Sequence, residues 1–192
     1  AISAKKGLLI RNRTNFEEAR KVNSVVFDKT GTLTEGKFGV TNLGLIQSME
    51  EEEFLRLTAS VEAKSEHPIA KGIVREANNR NLKYYSVENF KSLTGKGLQG
   101  VVNGKAIKVV SPGYMREQNL AYNTDQFSKW AEEGKTVVFV LIENNLAGMI
   151  ALADIVRETA KQAIQELKEM GIESIMLTGD NQKVAEYVGK QI

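Results

Sequence analysis

The sequence predicts an α/β fold: a doubly wound parallel sheet built from both chain ends, with a separate α+β antiparallel-sheet domain inserted between them. Three observations predict it. A β-branched run, "VNSVVF" (22–27), stands near one end of the chain, and a second strand pattern, "IESIML" (172–177), near the other. A helical pattern leads into that second strand and another leaves it, and a strand–helix–strand–helix order implies parallel strands with right-handed crossovers. The middle carries hairpin signals, which belong to an antiparallel sheet.

Taken in order, "VNSVVF" reads as a strand buried on both faces, because its apolar residues run on without alternation. The acidic run "MEEEEF" (49–54) marks a helix start, where carboxylates meet the positive end of the helix dipole. Helical stretches follow over 50–63 and 68–79. In "VVNGKAIKVV" the Asn103-Gly104 pair between β-branched runs is a two-residue hairpin signal. "KTVVFVLIENNLAGMIAL" reads as a further hairpin, turning at Asn144-Asn145. "DIVRETAKQAIQELKEMG" reads as a helix capped by Asp154, with Ile155, Ala160, Ala163, Ile164 and Leu167 as its stripe and Gly171 at its stop. Beyond "TGD", Val184, Ala185 and Val188 share one side of a last helix. The expected division is therefore 1–38 with 147–192 as one discontinuous domain and 39–146 as the insertion. Two thin connections, near 38–42 and 146–150, would form a hinge.

Bulk properties limit the function classes. The 192 residues suffice for one medium domain or two small ones, and 42% hydrophobic with 26% charged is ordinary for a globular protein. The 26 basic and 24 acidic residues are well mixed, with no basic run or aromatic-interleaved patch, so nucleic acid is not expected as a partner. No cysteine is present, which excludes disulfides and thiolate metal sites and fits a reducing compartment. No apolar run approaches the roughly 20 residues that span a bilayer, and no signal-peptide core precedes the first strand. The chain itself is expected to be soluble and monomeric.

The chemistry concentrates in "DKTGTLT" (28–34). Asp28 ends the first strand, at the strand edge where open α/β sheets bind ligands. Thr178, Gly179 and Asp180 follow the second strand and open a helix, where backbone amides and the dipole favour an anion. A carboxylate facing a phosphate cradle can be a nucleophile, a metal ligand or both. Lys29 supplies positive charge, and Thr30, Gly31 and Thr32 can wrap a phosphoryl group. Attack on phosphorus needs the like charges masked, by lysine together with Mg²⁺. The bland alternative, Asp28 capping a turn, is disfavoured by the pairing of "DKTGTLT" with a distant "LTGD".

These motifs resemble those of P-type ATPases. "DKTGTLT" is similar to their phosphorylation signature, "TGD" to their second phosphate motif, and "LADIVRETA" to their Asp-x-x-Arg segment, at Asp154 and Arg157. "SEHPIA" (65–70) resembles the signature of the heavy-metal-transporting subfamily, and "GKGLQG" (95–100) its glycine-rich element. "AISAKKGLLIRN" (1–12) resembles the stretch that leads from the membrane. The resemblance implies a haloacid-dehalogenase-like phosphorylation domain and an inserted nucleotide-binding domain, with ATP and Mg²⁺ as cofactors. It implies a place in the cytoplasmic loop of an integral plasma-membrane pump, with the membrane and actuator domains as partners and copper as first choice of cargo. Asp28 would accept the γ-phosphate, with Lys29 beside it. Asp28 and Thr30 would hold Mg²⁺, and Thr178, Gly179 and Asp180 the phosphoryl group. Glu62, Glu66, His67, Gly95, Lys96, Gly97, Gly113, Asp154 and Arg157 would serve the nucleotide.

Two departures qualify the match. Tyr114 follows Gly113 where the subfamily usually has asparagine. The later "GDGxND" segment, with its Mg²⁺-binding carboxylates, is absent from this sequence, so weak autophosphorylation by this polypeptide alone is expected. Phosphatases of this fold place a second aspartate two residues after the nucleophile; here that position is Thr30, which cannot activate water. Two other readings remain at this point: a freestanding phosphatase of the same fold, and a nucleotide-sensing module without phosphotransfer. His67, the only histidine, would lie at a helix start beside Pro68. Tyr84, Tyr85, Phe90, Phe127 and Trp130 are expected in the core or at its rim.

Overall fold

The computed structural model describes residues 12–46, 48–180 and 182–192; the membrane-proximal resemblance at 1–12 falls almost wholly outside them. A short helix α1 (Arg13–Glu18) precedes strand β1 (Ser24–Asp28), a wound turn (Lys29–Leu33) and the long strand β2 (Thr34–Leu45). Helices α2 (Glu51–Glu62) and α3 (Pro68–Asn79) follow. Then come β3 (Val87–Leu93), β4 (Gly97–Val102), β5 (Lys105–Val110), α4 (Pro112–Glu117), α5 (Thr124–Glu132) and β6 (Thr136–Ile142). The chain returns through β7 (Asn145–Val156), α6 (Glu158–Glu169), β8 (Glu173–Leu177) and α7 (Gln182–Gly189).

Two sheets result. One pairs β1 with β8 in parallel; the other is antiparallel, in the order β2-β7-β6-β5-β4-β3. The larger sheet is covered on both faces, which explains the unbroken apolar run "TVVFVLI" of β6. Val138, Val140 and Ile142 pack with Phe54, Leu55 and Ile73 of α2 and α3. Val137, Phe139 and Leu141 pack on the other side with Met115 of α4 and Trp130 of α5.

Local signals placed several boundaries. Helix α3 starts at Pro68 and is capped by His67, as the proline at its first position favours. Asn103 (φ 49°) and Gly104 (φ 75°) both adopt the left-handed conformation that a two-residue hairpin turn requires. Gly171, at φ 74°, follows α6 where a helix stop wants glycine.

Four expectations are corrected. The second hairpin turns one residue earlier, at Glu143 (φ 53°) and Asn144 (φ 63°), because Asn145 already pairs with Ile142. Asp154 does not cap α6: it lies in β7 opposite Phe38, and the helix begins after Arg157. Ile155 accordingly belongs to the strand and not to the helical stripe. Strand β1 is not buried on both faces, since Val26 is 58% exposed and its parallel neighbour Ile175 is 42% exposed. Finally, the connections near 38–42 and 146–150 are not loose linkers. They are hydrogen-bonded to each other along the β2–β7 ladder, from Phe38↔Asp154 to Leu45↔Gly148.

Candidate functional site

The first cluster forms where β1 and β8 end side by side. Parallel register sets Asp28 opposite Leu177, so Thr178 follows one strand where Lys29 follows the other. Asp28 is exposed. The Lys29 ammonium is paired with the Asp180 carboxylate, 151 residues away in sequence. The Thr178 hydroxyl also donates to Asp180 Oδ2 at 3.0 Å, and the Asp180 amide returns a bond to Thr178 Oγ1 at 3.1 Å. The Lys29 hydrogen bond holds the Asp180 carboxyl below its ordinary range. One cation and the hydroxyl thus converge beside an exposed carboxylate, which is the equipment that positioning an anion demands.

Thr34, Asp154 and Arg157 fix the turn that carries Lys29 and Thr30. Gly31 takes φ 80°, bending the chain back toward β2. Thr34, wholly buried, receives a bond from the Gly31 amide at 3.2 Å and donates to Asp154 Oδ2 at 2.5 Å. The other Asp154 oxygen accepts from the Lys37 amide at 2.9 Å. Arg157 donates to the carbonyls of Thr34, at 2.9 Å, and Gly31, at 3.3 Å. Asp154 and Arg157, read from the sequence as nucleotide residues, brace the turn at Lys29–Leu33 here.

The third element is a cavity of about 590 Å³ between α2, α3 and the β3–β5 end of the large sheet. Glu62, Glu66, His67, Gly95, Lys96 and Gly97 all line it. Gly113, Asp154 and Arg157 do not, though Ser111, just before Gly113, does. Glu62 is only 4% exposed, and burial raises its carboxyl from the usual 4.5 to about 7. Near neutral pH that group can donate a hydrogen bond as well as accept one. His67 Nδ1 accepts the Ile69 amide at 3.3 Å; in the neutral ring this leaves Nε2 carrying the proton. Glu66 turns toward Lys71, 2.7 Å away, whose hydrogen bond lowers its carboxyl. Gly97, at φ 138°, lies so close to β5 that an added Cβ would stand 2.1 Å from the Val109 carbonyl.

Three participants escape sequence reasoning. Phe90 and Ser92 of β3 line the cavity; Asn89 at φ 51° and a register shift between Glu88 and Lys91 aim them there. An asparagine inside a strand pattern was the available signal, since it tolerates the left-handed conformation. Thr34 closes the "DKTGTLT" motif without a local sign of its role. A threonine closing a loop of polar residues reveals its burial only in three dimensions.

For a divalent cation the donors are few: no group of three or more His, Cys, Asp or Glu could hold a metal among the described residues. The exposed Asp28 carboxylate and Thr30 fit Mg²⁺, which binds through one or two protein oxygens plus phosphate and water.

Comparison with known proteins gives the family and the fold. Residues 22–192 match the family described as haloacid dehalogenase-like hydrolase. The chain belongs to that family. It is 50% identical, over its whole length, to a copper-exporting P-type ATPase B of Archaeoglobus fulgidus, of which it covers 28%. It is 37% identical over 98% of its length to a copper-exporting P-type ATPase B of Enterococcus hirae, covering 26% of that protein. The chain thus spans little more than a quarter of these relatives. Among solved structures, a zinc-transporting PIB-type ATPase in the E2.Pi state matches 88% of the chain at 36% identity and a TM-score of 0.76, over 28% of that protein. The catalytic domain of the CPx-ATPase CopB-B, described for its conformational changes upon nucleotide binding, matches 95% of the chain at 29% identity and a TM-score of 0.60, over 64% of its own length. The haloacid dehalogenase-like part and the antiparallel sheet are both accounted for. No helix among the described residues is long and apolar enough to cross a membrane.

Proposed function

We propose that this chain is the catalytic segment of a P-type ATPase that couples ATP hydrolysis to movement of a heavy-metal cation, copper by preference, across a membrane. Residues 39–146 bind ATP, and residues 1–38 with 147–192 accept its phosphate. The observation that carries this reading is the meeting of two distant motifs: β1–β8 pairing brings Asp28-Lys29 and Thr178–Asp180 to one corner.

In the proposed reaction an Asp28 carboxylate oxygen attacks the γ-phosphorus of ATP. The bond from phosphorus to the bridging oxygen breaks, and ADP leaves with its electron pair. Lys29 and the Thr178 hydroxyl balance charge on the transferring group. Mg²⁺, held by Asp28 and Thr30 with phosphate and water, would supply further charge neutralisation. The Asp154–Thr34–Arg157 brace keeps the turn at Lys29–Leu33 in place. Thr30 offers no base to activate water, so the acyl-phosphate waits until a further domain of the same pump supplies one. That delay favours transport over a freestanding phosphatase.

Adenine is read by Glu62 and the Nε2–H side of His67, while the backbone at Gly95–Gly97 admits the base or the phosphates closely. The test uses γ-labelled ATP and the complete pump. Acid-stable, hydroxylamine-labile label should appear on the protein and vanish in Asp28→Asn. Absence of label from the parent pump would refute the proposal.

A further inference from the structure

The Lys29–Asp180 pair joins two motifs that the proposed reaction needs free. The Lys29 side chain is only 14% exposed, and its ammonium points at a carboxylate of the same chain. That carboxylate also takes the Thr178 hydroxyl proton. The ammonium and the hydroxyl are the two donors at this corner able to meet the oxygens of an arriving phosphoryl group. Asp180 itself is more open, at 36% exposed, and lies between β8, which ends at Leu177, and α7, which starts at Gln182. It can therefore withdraw without disturbing either element.

We propose that Asp180 acts as an internal stand-in for phosphate, occupying Lys29 and Thr178 until a phosphoryl group displaces it. The inference rests on reading Lys29 and Thr178 as the donors of the phosphate cradle in the proposed function. The chemistry is an exchange of anions: one carboxylate oxygen leaves the ammonium, and a phosphate oxygen of higher charge takes its place. No covalent bond changes. The device keeps the ammonium of a side chain only 14% exposed paired until a phosphoryl group arrives. It also makes the corner selective, because an anion that binds no more strongly than a carboxylate gains nothing by displacing one already tethered there.

The test is a titration with inorganic phosphate, read from the amide resonances of Thr178, Gly179 and Asp180 or their neighbours. Asp180→Asn should bind phosphate more tightly than the parent, by roughly threefold to fivefold, the range for losing one competing, partly exposed ion pair. In a Lys29→Met background the same Asp180→Asn change should bring no gain, since the ammonium being competed for is gone. Equal gains in both backgrounds would mean that Asp180 acts only through its general charge, and would overturn the proposal. Weaker phosphate binding by Asp180→Asn would also overturn it, making Asp180 part of the cradle and not its occupant. If no form binds phosphate, the cradle fails and this proposal with it. The labelling of Asp28 in the complete pump then decides the proposed function separately. A cooperative urea unfolding transition, followed through Trp130 at 6% exposure in the second core, verifies that each variant is folded.

Discussion

Glu62 allows a quantitative prediction. It closes α2, where a carboxylate would face the negative end of the helix dipole, and it is 4% exposed. Burial moves its carboxyl from 4.5 to about 7. In the folded state the neutral acid is favoured, so between those two values the fold holds a proton that the unfolded chain has given up. Stability from this group is then complete below pH 4.5, declines as pH rises, and is gone above about 7. At about 1.4 kcal/mol per pH unit, the whole effect is on the order of 3 kcal/mol. The perturbation is Glu62→Gln, a neutral side chain of the same shape. At pH 5 the parent and variant should unfold at similar urea concentrations. At pH 8 the variant should be more stable by about 2–3 kcal/mol. Urea unfolding followed through Trp130, the single tryptophan and 6% exposed in the second core, reads this directly. A stability difference that stays constant from pH 5 to pH 8 would refute the reasoning.

Two further substitutions test the framework around the sites. Gly97→Ala places a methyl group 2.1 Å from the Val109 carbonyl at a φ of 138°; strain and overpacking together should cost about 3 kcal/mol or more, measured by urea unfolding, and nucleotide affinity should fall with it. Thr34→Val strands the Gly31 amide and Asp154 Oδ2 without their shared partner, which should cost about 1–3 kcal/mol and slow labelling of Asp28 in the complete pump; unchanged stability and labelling would show that the brace is dispensable.

What the sequence made legible was what short-range chemistry dictates. Asn103-Gly104 permits only a tight hairpin, Pro68 sets a helix start, and both phosphate motifs lie at strand ends because only turns expose such residues. Gly95 and Gly97 of "GKGLQG" reach the cavity, with Gly97 pressed against β5. What stayed hidden depends on distant partners. Asp154 looks like a helix cap to its neighbours in sequence, but pairing with β2 carries β7 through it to Val156. Phe90 lines the cavity because a bulge at Asn89 breaks the two-residue alternation from which strand faces are read. The apolar face of β1 reads as buried, yet Val26, Ile175 and Leu177 stand 58%, 42% and 63% exposed. Hydropathy reports what a strand could bury, not what lies against it.

The β2–β7 ribbon gives the two sites a common mechanical element. Each strand is 12 residues long, about 40 Å at the usual rise per residue. At one end Thr34, Asp154 and Arg157 grip the turn carrying Lys29. At the other, Leu43 and Ile150 enter the core that α2 and α3 share with the wall of the cavity. The ladder is regular over most of its length but shifts register between Thr34 and Phe38 and again between Val40 and Asn42. Missing ladder bonds make those two steps softer than the paired runs beside them. Gly39 and Gly72 bring the same stretch so close to Ile155 and to the Phe38 carbonyl that a Cβ at either would collide, at 2.8 and 2.7 Å. Close packing on one side and broken register along the strand leave bending as the low-cost deformation, with sliding opposed by the glycine contacts. On the proposed reading, a nucleotide held over α2 and α3 would be brought toward Asp28, or moved from it, without releasing the Asp154–Thr34 brace that keeps the turn at Lys29–Leu33 in shape.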